Sequence, residues 1–382
     1  MASVVSPETT VHPTNSATAG PAAPRWRRYL KDILWAARLT VSVVVLLIGR
    51  TWPSFRHQLA GVIVLAVLTW PARSVRWGTV YNFFVVGFFF AFPIVGLQYF
   101  IEKILWAGQS PVLGSVLVAP LTEEVGKILP LVLLLAIGRL DFRNSYGACD
   151  TMLCGASLGA GFGLFEDSLW LTSSFGTPAS PGLLGIAIFP DSSGGFIGHS
   201  GSTALIGLSL GYLLYAVRWR RGLLFGILGL LLASVWMMID HGLSNYATYG
   251  RLGRWFFLVR WTWAMDRRGE LSPYVFLILI VLTVVVERVL LWRILRRYPH
   301  LSAASCLDFV NRPLRQGWGY PQLRAIVLRL RSLSLYVLAY RRLGFLLIHW
   351  KGDLPRNKAI LGPLIARQTG KIAISQIAVR QS

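Results

Sequence analysis

The sequence predicts an all-α protein, a polytopic bundle of about eight transmembrane helices, and three observations carry that reading. Of its 382 residues 54% are apolar and only 14% charged, with a mean hydropathy of +0.55, the profile of a chain that crosses a bilayer repeatedly. Apolar stretches recur near the roughly 20-residue length that spans a hydrocarbon core. The basic residues fall mostly in short runs between those stretches, where they orient a membrane protein.

Residues 1–24 are rich in Pro, Ala, Ser and Thr and read as a disordered tail. Arg25-Trp26-Arg27-Arg28 then opens a membrane domain over 25–300, in the manner of an uncleaved signal anchor. The expected spans are 33–49, 58–72, 78–100, 112–138, 146–172, 194–216, 221–241 and 273–292. The second is short enough to be tilted, re-entrant or interfacial. The fourth is long and carries Pro120 and Pro130, which kink or break helices. The fifth holds small residues at 155–157, 159–161 and 163, a composition that lets helix backbones approach closely. No internal repeat of the kind found in inverted-repeat transporters is visible.

Residues 301–382 form a basic C-terminal region with Asp308 and Asp353 as its only acids. Within it Leu323, Ile326, Val327, Leu330, Leu333, Val337 and Tyr340 recur at helical spacing, among Arg324, Arg329, Arg331, Arg341 and Arg342. A helix lying on the anionic cytoplasmic leaflet is the expectation. A partner-binding helix is the alternative.

The formal charge is 38 − 16 = +22. Its distribution points to lipid, and no nucleic-acid partner is expected. Basic clusters at Arg25 to Lys31, Arg73 and Arg76, Arg139 and Arg143, Arg218 to Arg221, and Arg293 to Arg297 all fall on one side of an eight-span chain with both termini cytoplasmic. The opposite loop, 173–193, has no Lys or Arg. One stretch departs from the pattern: 251–268 carries five arginines on the outer side, along with Trp255, Trp261 and Trp263, and reads as an aromatic-basic belt. Cys149, Cys154 and Cys306 have no metal or redox spacing and read as small apolar filling. His12, His57, His300 and His349 lie in tails or loops and read as surface residues.

Ionisable groups inside the spans are the exception that calls for a function. An aspartate at the centre of a bilayer costs roughly 2.5 to 3.5 kcal/mol even on a permissive insertion scale. Glu123-Glu124-x-x-Lys127 places Lys127 one turn from both glutamates, so one carboxylate can be neutralised while the other serves as general base or metal ligand. An ion pair that merely survives in the membrane is the plain alternative. Glu166, with Asp167 beside it and no nearby Lys or Arg in its span, needs a proton, a metal or a histidine. His199 lies among small residues, where a hydrogen-bonded interior histidine is equally expected. His241 and Asn245, at i and i+4, share a helix face and suit a metal ligand beside a carbonyl-polarising donor, or two arms of an oxyanion site.

Depth ties these motifs together. Span four runs inward with its glutamates early, and span five runs outward with Glu166 near its end. Span six runs inward with His199 in its first turns, and His241 closes span seven. All four motifs therefore meet in the outer half of the bilayer.

In order, E-E-x-x-K at Glu123 to Lys127, F-x-x-x-E at Phe162 to Glu166, His199, and H-x-x-x-N at His241 to Asn245 resemble the PrsW family of intramembrane proteases, related to the CAAX-processing and bacteriocin-immunity group. The resemblance covers about 112–245. Asp167 departs from it, since Asn commonly follows the second-motif glutamate in that family. The resemblance implies hydrolysis of a peptide bond in a membrane-anchored protein, such as an anti-sigma-type regulator, in a bacterial plasma membrane. Its catalytic set would be Glu123, Glu124, Lys127, Glu166, His199, His241 and Asn245. With a metal, zinc for example, Glu124, Glu166, His199 and His241 would offer four ligands, one more than a catalytic site with an open position needs. Without one, a glutamate and His199 would activate water while His241 and Asn245 hold the oxyanion. The zincin motif H-E-x-x-H is absent from the sequence.

Two other classes compete. An ion- or proton-coupled transporter also uses intramembrane Glu and His, though it would leave the ordered motif set unexplained. A non-catalytic scaffold working through its basic C-terminal region would leave the buried charges unexplained.

Overall fold

The computed structural model describes residues 33–42, 52–105, 114–137, 145–172, 198–218, 222–249, 271–296 and 337–346. The helices are α1 (Ile33–Ser42), α2 (Trp52–Leu68), α3 (Trp77–Phe100), α4 (Ala119–Ile137), α5 (Ala148–Thr172), α6 (Gly198–Arg218), α7 (Leu223–Tyr249), α8 (Leu271–Leu295) and α9 (337–346). Two π-helical turns flank the α3–α4 connection, Ile101–Leu105 and Gly114–Val118, and the second runs straight into α4. Among the described residues there is no strand. The protein is an integral membrane helix bundle.

Among the described residues five helices are long and apolar enough to cross a membrane: Trp77–Lys103, Ala148–Leu169, Gly198–Val217, Leu223–Asn245 and Tyr274–Ile294. The other three expected spans fall on helices that are shorter or charged among the described residues. The described part of α1 is short, α2 has 17 residues, and α4 carries Glu123, Glu124 and Lys127 within its apolar run.

Helix α5 is the centre of the bundle, packed chiefly between α6 and α3. Its apolar window is wholly buried although its hydropathy is only 1.3, against 2.6 for α8. Small residues explain the combination, since a helix surrounded by protein needs close backbone contact more than bulk. A methyl group added at Gly159 would overlap the carbonyl of His199 on α6. Only glycine permits that approach, and it brings α6 within reach of Glu166 further along α5.

Several boundaries differ from expectation for identifiable reasons. The second span shifts from 58–72 to α2 and ends before Pro71, which cannot continue a helix. Helix α4 keeps its course through Pro130. Helix α7 runs on to Tyr249, so His241 lies about two turns inside it and does not close it. The polar residues there find partners on other helices, so nothing forces the helix to stop. The described end of the expected 323–344 surface helix is α9, and it packs on protein. Leu343 and Phe345 are fully buried, with Phe345 against Leu291 of α8. Residues 323–336, the loops 173–193 and 251–268, and both chain ends lie outside the described residues, as do His12, His300, His349 and Cys306. Cys149 and Cys154 are buried free thiols, as expected of small filling.

The end of the bundle holding the 69–76 turn is fastened by two buried acids. Asp150 accepts from the backbone N–H groups of Ser74 and Val75 (2.7 Å each) and Gly147 (3.1 Å), and from Ser74 Oγ (2.6 Å). Its bond to Gly147, the residue before α5, is the back-reaching half of a capping box. Glu287 of α8 accepts from the next two amides, Ala148 and Cys149, and from the Tyr215 hydroxyl at 2.6 Å. The first N–H groups of α5, which no helix can satisfy internally, are thereby paired. Each buried amide left without an acceptor costs about 1–3 kcal/mol. Asp150→Ala therefore lowers the thermal midpoint in detergent by more than about 5 °C. Asp150→Asn, which keeps one acceptor oxygen, falls between it and the wild type in the same melting experiment.

Candidate active site

Four helices deliver the polar residues of the other end to one place. On α4, Glu123, Glu124 and Lys127 stand at i, i+1 and i+4, one turn from the start of the helix. Glu166 comes from near the end of α5, His199 from the start of α6, and His241 from α7. Gly198 has φ 72°, a left-handed conformation that favours glycine, and it sets the entry to α6 just before His199.

Lys127 is the hub and is 2% exposed. Its Nζ lies 2.9 Å from Glu124 Oε1, 3.2 Å from Glu123 Oε2 and 2.6 Å from His199 Nδ1. The Phe162 ring sits beneath the ammonium at 4.3 Å, so the aromatic of the F-x-x-x-E motif provides a cation–π face. An ammonium only donates, so His199 Nδ1 accepts and Nε2 carries the proton toward Glu166 Oε2, 2.5 Å away.

Glu124 is fully buried and engaged at both oxygens. Besides Lys127, Oε1 faces His241 Nδ1 at 3.1 Å, and Oε2 accepts from Ser202 Oγ at 3.0 Å. Holding the proton on His241 Nδ1 leaves Nε2 as the ring's basic nitrogen, and it faces Glu123 Oε2 at 3.8 Å. The rings of His199 and His241 meet edge to face with centroids 5.2 Å apart.

Six of the seven expected residues, Glu123, Glu124, Lys127, Glu166, His199 and His241, thus form one connected cluster. Asn245 is placed otherwise: its Nδ2 donates to Ser115 O at 2.9 Å, serving a carbonyl of the π-helical turn ahead of α4. The expectation that Lys127 would neutralise one glutamate and leave the other apart also changes, since both carboxylates touch it. Sequence reasoning gave Ser202 no role. Its spacing was the available signal, three residues after His199 on the same face of α6.

The residues present fit a divalent metal. One ligand atom each from Glu123, His199 and His241 lies within 4.8 Å of the others, and two imidazoles with one carboxylate leave a fourth position for water in a zinc-type site. Glu123 is the carboxylate of this trio, whereas Glu124 and Glu166 were the expected carboxylate ligands; the oxygens of Glu124 are already engaged by Lys127, His241 and Ser202. Glu123 Oε2 is buried and, although close to Lys127, accepts no well-directed hydrogen bond among the described residues. Formal charge agrees. Three carboxylates and one ammonium give −3 + 1 = −2 with both imidazoles neutral, an excess that a divalent cation balances.

A family model described as PrsW family intramembrane metalloprotease matches residues 75–286, which contain every member of the cluster. No curated protein and no solved structure matches the chain.

The Glu124–His241 contact has the form of a carboxylate that orients a ligating imidazole, and losing such a support typically weakens metal affinity by about 10–100-fold. Ser202→Ala is expected to lower metal affinity toward the bottom of that range, and Glu124→Gln further. Both are measured by competition with a chromophoric chelator on purified protein. Wild-type affinity in both variants would remove Glu124 from this role.

Proposed function

The chain belongs to the PrsW family of intramembrane metalloproteases, and on that premise we propose that it hydrolyses a peptide bond of a membrane-anchored protein at the cluster around Lys127. The observation that carries this reading is the convergence of Glu123, Glu124, Glu166, His199 and His241 from four helices around a single buried ammonium.

We assign the ligand trio to Glu123, His199 and His241, with His199 Nδ1 exchanging its bond from Lys127 for the metal and zinc as the metal that best suits two imidazoles and a carboxylate. When bound, such an ion lowers the pKa of a water and polarises the scissile carbonyl. Glu124, fixed by Ser202 and Lys127, holds the Nδ1 proton of His241 and with it the direction of that ring. Glu166 is the most open carboxylate of the cluster, its side chain 30% exposed. It suits the proton carrier that takes a proton from the attacking water and returns it to the leaving amine. Lys127 limits charge repulsion among the three glutamates, and Asn245 holds the π-helical turn that leads into α4.

The substrate class we infer is a protein tethered by an apolar helix, of which an anti-sigma-type regulator in a bacterial plasma membrane is one kind. Hydrolysis needs water, and a site at one end of the bundle is wetted without crossing the whole hydrocarbon core. With both termini cytoplasmic, that end faces outward.

Proteoliposomes carrying a tethered reporter test the chemistry. Glu123→Gln, Glu166→Gln, His199→Ala and His241→Ala should each lower cleavage by at least about 1,000-fold while the protein still inserts. Because the groups act as one unit, a double variant is no worse than a single. Chelation abolishes cleavage and zinc restores it, whereas Cys149→Ala and Cys154→Ala retain activity. Ion flux without proteolysis would favour a transporter instead.

Sidedness has its own measurement. In a cysteine-free background, Ser110→Cys and Ser173→Cys should react with a membrane-impermeant thiol reagent added from outside to intact cells. Reaction only after the membrane is opened would place the cluster on the cytoplasmic side.

A further inference from the structure

The end of the bundle opposite the cluster gathers more arginines than acids. The 69–76 turn carries Arg73 and Arg76, and α9 lays two more on it. Arg341 Nη1 donates to the carbonyl oxygens of Trp70 and Arg73, the latter at 2.8 Å. Arg342 donates from Nε to Ser74 O at 3.2 Å and from Nη2 to the Tyr146 hydroxyl at 3.0 Å. Every one of these acceptors is neutral, so the contacts seat the guanidinium groups without cancelling their charge.

Asp150 is the acid within electrostatic reach of Arg73 and Arg341. Its two oxygens are already committed to the amides of Ser74, Val75 and Gly147 and to Ser74 Oγ. Arg73 is 1% exposed and lies between the rings of Trp70 and Trp77, at 4.8 and 4.6 Å. Its Nε and Nη1 have no hydrogen-bond partner among the described residues. Burial and then neighbouring positive charge act against Arg76 and Arg341. Arg76 is lowered by desolvation and by Arg342, and Arg341 is brought down to about 10 by desolvation and by Arg288. Arg73, Arg76, Arg288, Arg341 and Arg342 against Asp150 and Glu287 leave a formal +5 − 2 = +3.

An anion beside such a cluster would stabilise it, and the surroundings favour one kind. Trp70 and Trp77 present partly exposed rings against it, the aromatic pattern of a membrane–water interface. An anion resident at that depth is a lipid headgroup. Arg76 is exposed on the turn and Arg342 half-buried on α9, so a phosphate between them touches both elements.

We propose that this end of the bundle binds the phosphate of an anionic phospholipid between Arg76 of the turn and Arg342 of α9, and that the lipid holds α9 on the bundle. This site is independent of the proteolytic chemistry proposed above.

The test is the thermal midpoint of the full chain in phosphatidylcholine vesicles with and without phosphatidylglycerol. A third arm adds inorganic phosphate to phosphatidylcholine vesicles. Wild type should gain about 3 °C from the anionic lipid, and Arg76→Gln at most half of that. Arg76→Glu gives Arg342 a carboxylate of its own, so it should melt higher than wild type in pure phosphatidylcholine and lose its response to the anionic lipid. The proposal is overturned by an equal midpoint of wild type in both vesicles, by a full response in Arg76→Gln, or by an Arg76→Glu variant less stable than wild type without anionic lipid. It is likewise overturned if inorganic phosphate alone reproduces the rise, which would identify a free anion as the ligand.

Discussion

A lysine ammonium buried inside a membrane bundle constrains everything around it. Removing such an ion from water costs several kcal/mol even after the protein relaxes. Two unit charges 4 Å apart attract by about 4 kcal/mol at an effective dielectric of 20. Each buried carboxylate carries a desolvation cost of its own, so the set persists only where every charge in it has a partner. Lys127 has two carboxylates, together with an imidazole nitrogen and the face of Phe162. Bringing those groups together fixes the mutual placement of α4, α5, α6 and α7, because an error in any of them strands a charge.

The fold meets that demand by giving up side-chain bulk on α5. Glycine at 159 lets the α6 backbone pass where a methyl would collide with the His199 carbonyl, and Gly198 turns the chain so that His199 enters at the right level. The same economy explains why the most buried helix of the bundle is less hydropathic than the lipid-facing ones. In a bilayer, helix association draws on contact and hydrogen bonding more than on apolar area. A central helix of small residues beside polar ones is the form that preference takes.

Much of this was legible in the sequence because it rests on period and order. The one-turn spacing of Glu123, Glu124 and Lys127 requires their contact, and the alternating direction of successive spans puts Glu166, His199 and His241 at one level. The rest depends on distances between helices, which no spacing records. Ser202 reaches Glu124 across two helices, and Asn245 serves a carbonyl more than a hundred residues away in sequence. Asp150 and Glu287 are equally buried acids that the motif search passed over. Asp150 stands in the first turn of a helix, where an acid is an ordinary cap, and the amides that Glu287 serves belong to α5, far from it in sequence. The docking of α9 escaped for a related reason: alternating apolar and basic residues suit a lipid surface and a protein surface equally well.

Carboxylates at the two ends of α5 show what separates a structural acid from a reactive one. Asp150 is surrounded by backbone N–H groups and a hydroxyl, donors that lock an anion in place and leave it no lone pair for chemistry. Glu287 caps a helix and takes a phenol in the same way. Glu123 is also buried, yet its Oε2 faces an ammonium without a directed hydrogen bond and an imidazole nitrogen 3.8 Å away. Incomplete satisfaction is costly, and a folded protein retains it where the missing partner arrives from outside. Burial alone would rank these three acids together. It is the donor set around each that separates them: the oxygens of Asp150 and Glu287 are filled by protein donors, whereas Glu123 Oε2 accepts no directed hydrogen bond among the described residues.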